Sequence, residues 1–238
     1  MRTSVYATLV WLLLFSSTAS AFDDLREVWN VDFLYHYSRI ERATLLNADS
    51  FTSRQGGMIQ FEYEDQIDLF WRWYFGGDVT FAIHEAAASR SFSPREQIPW
   101  QLFVGTGFQL GSLKSWEVFF GLGGSSEHYF IVNGVNSFSF ENAMSARAHL
   151  GFSWRFLSIT GATAKLLFRY STPITSVDHD GTDLTYKGIL DGTIRLRGRY
   201  DSFMSFYAGV RFEDYQVADE SVTYFTTRVY AGLGFHFK

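Results

Sequence analysis

Two short stretches hold residue types able to do hydrolytic chemistry. SVDHDGTD sets Asp178, His179 and Asp180 side by side, and GGSSEHY does the same for Ser125, Ser126, Glu127 and His128. A serine, a base and an orienting carboxylate transfer acyl groups only when the three meet in space. Adjacent residues on an extended strand point to opposite faces, so the Ser125–His128 run separates its own members. An Asp/His/Gly cluster is the usual composition of a solvated turn. Asp178, Asp180 and Asp183 carry hard oxygen ligands of the kind Ca²⁺ takes, but their spacing fits no EF-hand loop. The reading therefore expects no catalytic residue, no metal and no cofactor.

A second set of chemically active residues recurs at alternate positions. In the first half these are mainly acidic: Asp32, Glu62, Glu64, Asp78 and Glu117, with Arg72 the exception. In the second half they are mainly basic: Arg147, Arg155, Lys165, Arg169, Lys187, Arg195, Arg197, Arg211 and Arg228, with Asp191 and Glu213 interspersed. Unpaired charges in a low-dielectric interior are costly, whereas paired, hydrogen-bonded ones are tolerated. If the sheet closes, an acidic wall faces a basic one. The charges then either interlock and plug the lumen, or water separates them and leaves a narrow pore biased towards small anions.

The elements that must hold these charges are strands. In VTYFTTRVYAGLGFHFK, Phe225, Val229, Ala231, Leu233, Phe235 and Phe237 alternate with Tyr224, Arg228, Tyr230, His236 and Lys238. One face is apolar and the other polar at a period of two, which defines a strand. The same alternation recurs from Trp29 onwards and gives about ten strands, with eight or twelve left open by the broken pattern at GGSSEH. Tight turns are expected near 66–68, 112–114, 158–161 and 200–201. Longer loops are expected at 41–56, 85–98, 133–137, 172–183 and 214–220. Short turns on one side and long loops on the other are the layout of a transmembrane β-barrel.

Composition narrows the class. The 238 residues include three prolines, no cysteine and 19% aromatics, with a net charge of −5 spread along the chain. Lack of Cys rules out a disulfide framework or a thiolate metal site, and the charge pattern offers nothing to nucleic acid. Residues 1–21 read as a cleaved secretory signal peptide: Arg2, an apolar run, then Ala19-Ser20-Ala21. Residues 22–238 read as one all-β domain, an antiparallel up-and-down barrel.

Lipid rather than a protein core should meet the apolar face. Trp29, Trp71, Trp73, Trp100, Trp116 and Trp154 all fall on it, mostly near strand ends, where an interfacial girdle belongs. Turned inward, so many rings would overfill a small barrel.

A signal peptide, alternating strands and a last strand with aromatics at alternate positions resemble the bacterial outer-membrane β-barrel proteins. That resemblance implies outer-membrane lipid and lipopolysaccharide as surroundings, with both termini periplasmic. It also implies that the barrel-assembly machinery reads Val229, Leu233, Phe235 and Phe237, although Lys238 follows the terminal aromatic here. Two enzymatic likenesses are weaker. The Asp178–Asp180 cluster is similar to the rim of omptin proteases, but 85–97 offers no acidic pair to complete it. The Ser125–His128 run is similar in residue types to lipid A deacylases. A non-enzymatic structural barrel or narrow charge-lined pore is the expected role, with an adhesive or receptor surface on the loops as the alternative.

Overall fold

The computed structural model describes residues 27–43, 48–68, 70–86, 95–110, 115–132, 138–159, 162–178, 184–198, 204–217 and 222–237. The strands are β1 (Glu27–Ala43), β2 (Ala48–Gln66), β3 (Trp71–Ala86), β4 (Arg95–Gln97), β5 (Trp100–Leu110), β6 (Trp116–Val132), β7 (Phe138–Ile159), β8 (Ala162–Asp178), β9 (Leu184–Gly198), β10 (Met204–Val217) and β11 (Val222–Phe237). Ten are long; β4 has three residues and pairs only with the far part of β3. The long strands pair antiparallel in chain order, β3 joining β5 directly, and β11 returns to β1 from Trp29↔Phe237 to Ala43↔Thr223. Closure pairs each of the ten long strands on both sides among the described residues, as a barrel in hydrocarbon requires.

Burial in this barrel is inverted. Asp32, Asp78, Arg147 and Arg211 are all at most 3% exposed, while Phe33, Leu122, Leu150 and Phe237 are all more than half exposed. Water would not tolerate a continuous apolar outer surface around the whole ring, but lipid does. The fold is that of a transmembrane β-barrel, its polar face inside.

Aromatic rings gather on the outside at the end where β1 begins and β11 stops. Trp29 meets Tyr63 at 4.7 Å, Tyr63 meets Trp73 at 5.0 Å, and Trp71 meets Phe108 at 5.0 Å. Trp116 and Trp154, register partners on β6 and β7, stack at 4.9 Å. Trp100 pairs with Val79, eight residues beyond Trp71 on β3. At ~3.3 Å per residue and a tilt of ~40°, that is about 20 Å up the barrel, so Trp100 belongs to the opposite rim of the apolar band. At the first rim Asp68 shapes the β2–β3 turn: its Oδ1 accepts from the backbone N–H groups of Phe70 and Trp71, at 2.7 and 2.8 Å.

Strand boundaries correct part of the sequence reading. The expected loop at 41–56 is mostly strand, because β1 runs to Ala43 and β2 starts at Ala48. Likewise β8 reaches Asp178 and β10 reaches Val217, into stretches expected to be loops. On the outer face Arg39 and Glu41 form an ion pair at 2.8 Å, so the strand continues past the apolar band. The inner face carries on beneath them, with Ile40 and Phe51 both 2% exposed. The broken pattern at GGSSEH hides no extra hairpin: β6 pairs with β7 without a register shift from Trp116↔Trp154 to Val132↔Phe138. Small residues merely blank the polarity signal there. Residues 1–26, with the expected signal peptide, lie outside the described residues, as do His179, Asp180, Asp183 and Lys238.

Candidate functional site: the ion-paired lumen

Inner-face residues meet through the stagger of the barrel. Asp32 on β1 lies in one lateral row with Gln60, Asp78, Gln101, Ser125 and Ser145 on successive long strands. In the other direction the row runs through Gly234, Ser205 and Arg197. Because the strands tilt, such a row climbs the barrel as it goes round. Arg211, six residues beyond Ser205 on β10, is thereby raised to face Asp78 on β3.

Two levels of ion pairing result. Nearer the closing end, Arg195 on β9 donates from Nη2 to Asp32 Oδ2 at 2.6 Å and from Nη1 to Glu62 Oε2 at 3.4 Å. Beside it Glu64 takes Lys165 Nζ on one oxygen and Arg72 Nη1 on the other, each at 3.3 Å. Glu117 accepts from Ser153 Oγ at 3.3 Å and from the Tyr74 hydroxyl. Further along, Arg211 donates from Nη2 and Nη1 to the two oxygens of Asp78, at 2.7 and 3.2 Å, and Gln101 donates to the same carboxylate. Arg147 donates from Nε to Ser145 Oγ at 2.8 Å, and Ser145 shares a hydrogen bond with Ser125 at 3.0 Å.

Four of these pairs join elements far apart in the chain: 163 residues separate Arg195 from Asp32, 133 separate Arg195 from Glu62 and likewise Arg211 from Asp78, and 101 separate Lys165 from Glu64. Bidentate Arg–carboxylate geometry adds orientation to charge. Arg228, Arg169 and Arg147 are also buried inside, and Arg228 is the register partner of Arg211. Arg155 is half-buried, in register with Lys165. The side chains of Lys187 and Arg197 lie outside the described residues.

Between the two levels is a cavity. Its walls include three apolar side chains on the polar face: Phe103 on β5, Phe119 on β6 and Leu167 on β8. Arg169 lies over the Phe103 ring at 4.7 Å, Arg195 over Tyr207 at 4.8 Å, and Lys165 over Tyr74 at 5.9 Å. Gly105 and Gly121 face each other across β5 and β6 and leave the wall bare between the rings. The Phe119 ring rests on Gly151, where a Cβ would collide with it. Alternation alone did not single out Phe103, Phe119 or Leu167. Their signal was an apolar residue at an inward parity.

Among the described side chains, the two serines of the hydrolytic candidates point to opposite faces. Ser125 points inward to Ser145, while Ser126 takes the opposite parity, next to outward-facing Met144. The side chains of Glu127, His128 and Asp178 lie outside the described residues. No group of three or more His, Cys, Asp or Glu side chains is arranged to hold a metal ion among the described residues.

The sequence matches no family model and no curated protein. Solved structures give resemblances of fold only. The translocator domain of the autotransporter NalP from Neisseria meningitidis is 11% identical with a TM-score of 0.44, over 99% of this chain and 98% of that one. The outer membrane protease OmpT from Escherichia coli is 7% identical with a TM-score of 0.48, over 93% and 100%. The transport unit of the autotransporter AIDA-I from Escherichia coli is 10% identical with a TM-score of 0.47, over 98% and 97%.

Proposed function

We propose that this chain is a bacterial outer-membrane β-barrel with a non-enzymatic role, its lumen held shut by ion pairs that cross it. Lipid and lipopolysaccharide surround it, and both termini lie on the periplasmic side. The observation that carries the reading is the Arg211–Asp78 pair, two hydrogen bonds from β10 to β3 between side chains only 2% and 3% exposed. A water-filled pore would hold such walls apart. A barrel of ten strands sits near the size at which side chains fill the interior.

The test is single-channel recording of the refolded protein in a planar bilayer, under a salt gradient. The expected wild-type trace is silent, and Asp78→Lys, which sets a cation against Arg211, should produce discrete steps. Steps with anion preference in the wild type would replace the closed barrel with a narrow pore ruled by the basic wall.

A further inference from the structure

We propose that the cavity between the two ion-pair levels is a binding site for a small organic anion, a carboxylate carrying an aromatic ring or short apolar body. The inference deepens the closed-barrel reading and rests on it for the two ends of the chamber. A lumen that served only to interlock charges would have no use for Phe103, Phe119 and Leu167. Each occupies an inward position, and together they line one space. Gly105 and Gly121 open bare backbone between the two rings. Apolar walls with a few placed polar groups are the kind of lining that small-molecule sites have.

Charge sets the class of ligand. Among the described residues, Lys165, Arg169 and Arg195 line the chamber with one carboxylate, Glu62. Asp32 and Glu64, which hold Arg195 and Lys165, stand outside its lining. Arg169 lies against the apolar end, over the Phe103 ring, so cation and ring occur at one place. The wall also carries His149, 6.0 Å from the Phe103 ring and hydrogen-bonded through Nδ1 to Ser171 Oγ at 2.7 Å. An anion with a flat apolar body satisfies both halves of this lining; a sugar or a simple inorganic ion satisfies one.

The experiment is fluorine NMR of 4-fluorobenzoate titrated with the full mature barrel refolded in detergent micelles, against 4-fluorobenzyl alcohol and empty micelles. Saturable broadening of the benzoate signal is expected, displaced by unlabelled benzoate and at least tenfold weaker for the alcohol. Arg169→Gln should weaken it at least tenfold while the barrel still shifts on heating in a gel. If that variant does not fold, Leu167→Trp takes its place, since it fills the chamber and changes no charge. Equal binding of alcohol and benzoate, binding no greater than to empty micelles, or binding indifferent to the folded variant would overturn the proposal. The closed-barrel reading fails separately: a conducting barrel that binds the probe sinks the seal and keeps the site, and a silent barrel that does not bind does the reverse.

Discussion

Arg211 and Asp78 meet across the barrel, guanidinium to carboxylate, at 2.7 and 3.2 Å, though 133 residues separate them. Breaking a buried pair by removing one partner leaves the other charge uncompensated and typically costs about 3–5 kcal/mol, whereas replacing both with apolar residues is often neutral or stabilising. Arg211→Met alone should therefore destabilise the barrel by an amount in that range. Arg211→Met with Asp78→Leu should recover most of the loss. Urea unfolding in phospholipid vesicles, followed by the gel shift on heating, measures both. Equal loss in the single and double variants would mean that packing, not the pair, holds this level together.

The outer face makes a different demand. Leu122 is 57% exposed and lies on β6 between the Trp116 rim and the level of Trp100, while Ile67 is 62% exposed in the β2–β3 turn. Arginine on the lipid face of such barrels costs about 2–4 kcal/mol at the midplane and about 0–1 kcal/mol near the interface. Leu122→Arg should thus lower the folding free energy in vesicles by a few kcal/mol, and Ile67→Arg by little. Equal costs at the two sites would show that this surface does not sit in hydrocarbon.

Gly151 offers a test of inner packing. The Phe119 ring occupies the place where a Cβ on Gly151 would stand. Gly151→Val should cost about 1–3 kcal/mol, the usual range for overpacking a filled interior. Adding Phe119→Ala should relieve the clash, so the two changes together cost less than their sum, as expected for residues in contact. A double-mutant cycle on urea unfolding gives the coupling, and strict additivity would deny the contact.

These residues also show what one sequence can and cannot disclose. Parity assigns Asp32 and Arg195 to the polar face and Leu233 and Phe237 to the apolar one, because side-chain direction follows from a period of two. Which acid meets which base depends on the stagger of the closed ring, and nothing local encodes that. It takes the row from Ser205 through Asp32 to Asp78 to bring Asp78 up to Arg211. Strand ends were misread for a physical reason: Arg39 and Glu41 end the outer apolar pattern, but Ile40 keeps the inner one going. Alternation leaves Phe103 and Phe119 unmarked, because it reports a face and says nothing of what an exception on it is for.

The last strand leads to a prediction about assembly. Phe237 is 53% exposed on the lipid side and pairs with Trp29 at the very end of the β1–β11 seam. Truncating a half-exposed ring at a strand end removes little packing, so Phe237→Ala should refold into vesicles almost as well as the wild type. In cells the outcome should differ, because the resemblance of this strand to an assembly signal implies that Phe237 is read before the barrel closes. The amount of heat-modifiable protein in the cell envelope should fall several-fold, and Thr227→Ala, on the same face of β11 but far from the terminus, should leave it unchanged. Matching losses in vesicles and in cells would assign Phe237 to the stability of the seam alone. No loss in either setting would remove it from the assembly signal.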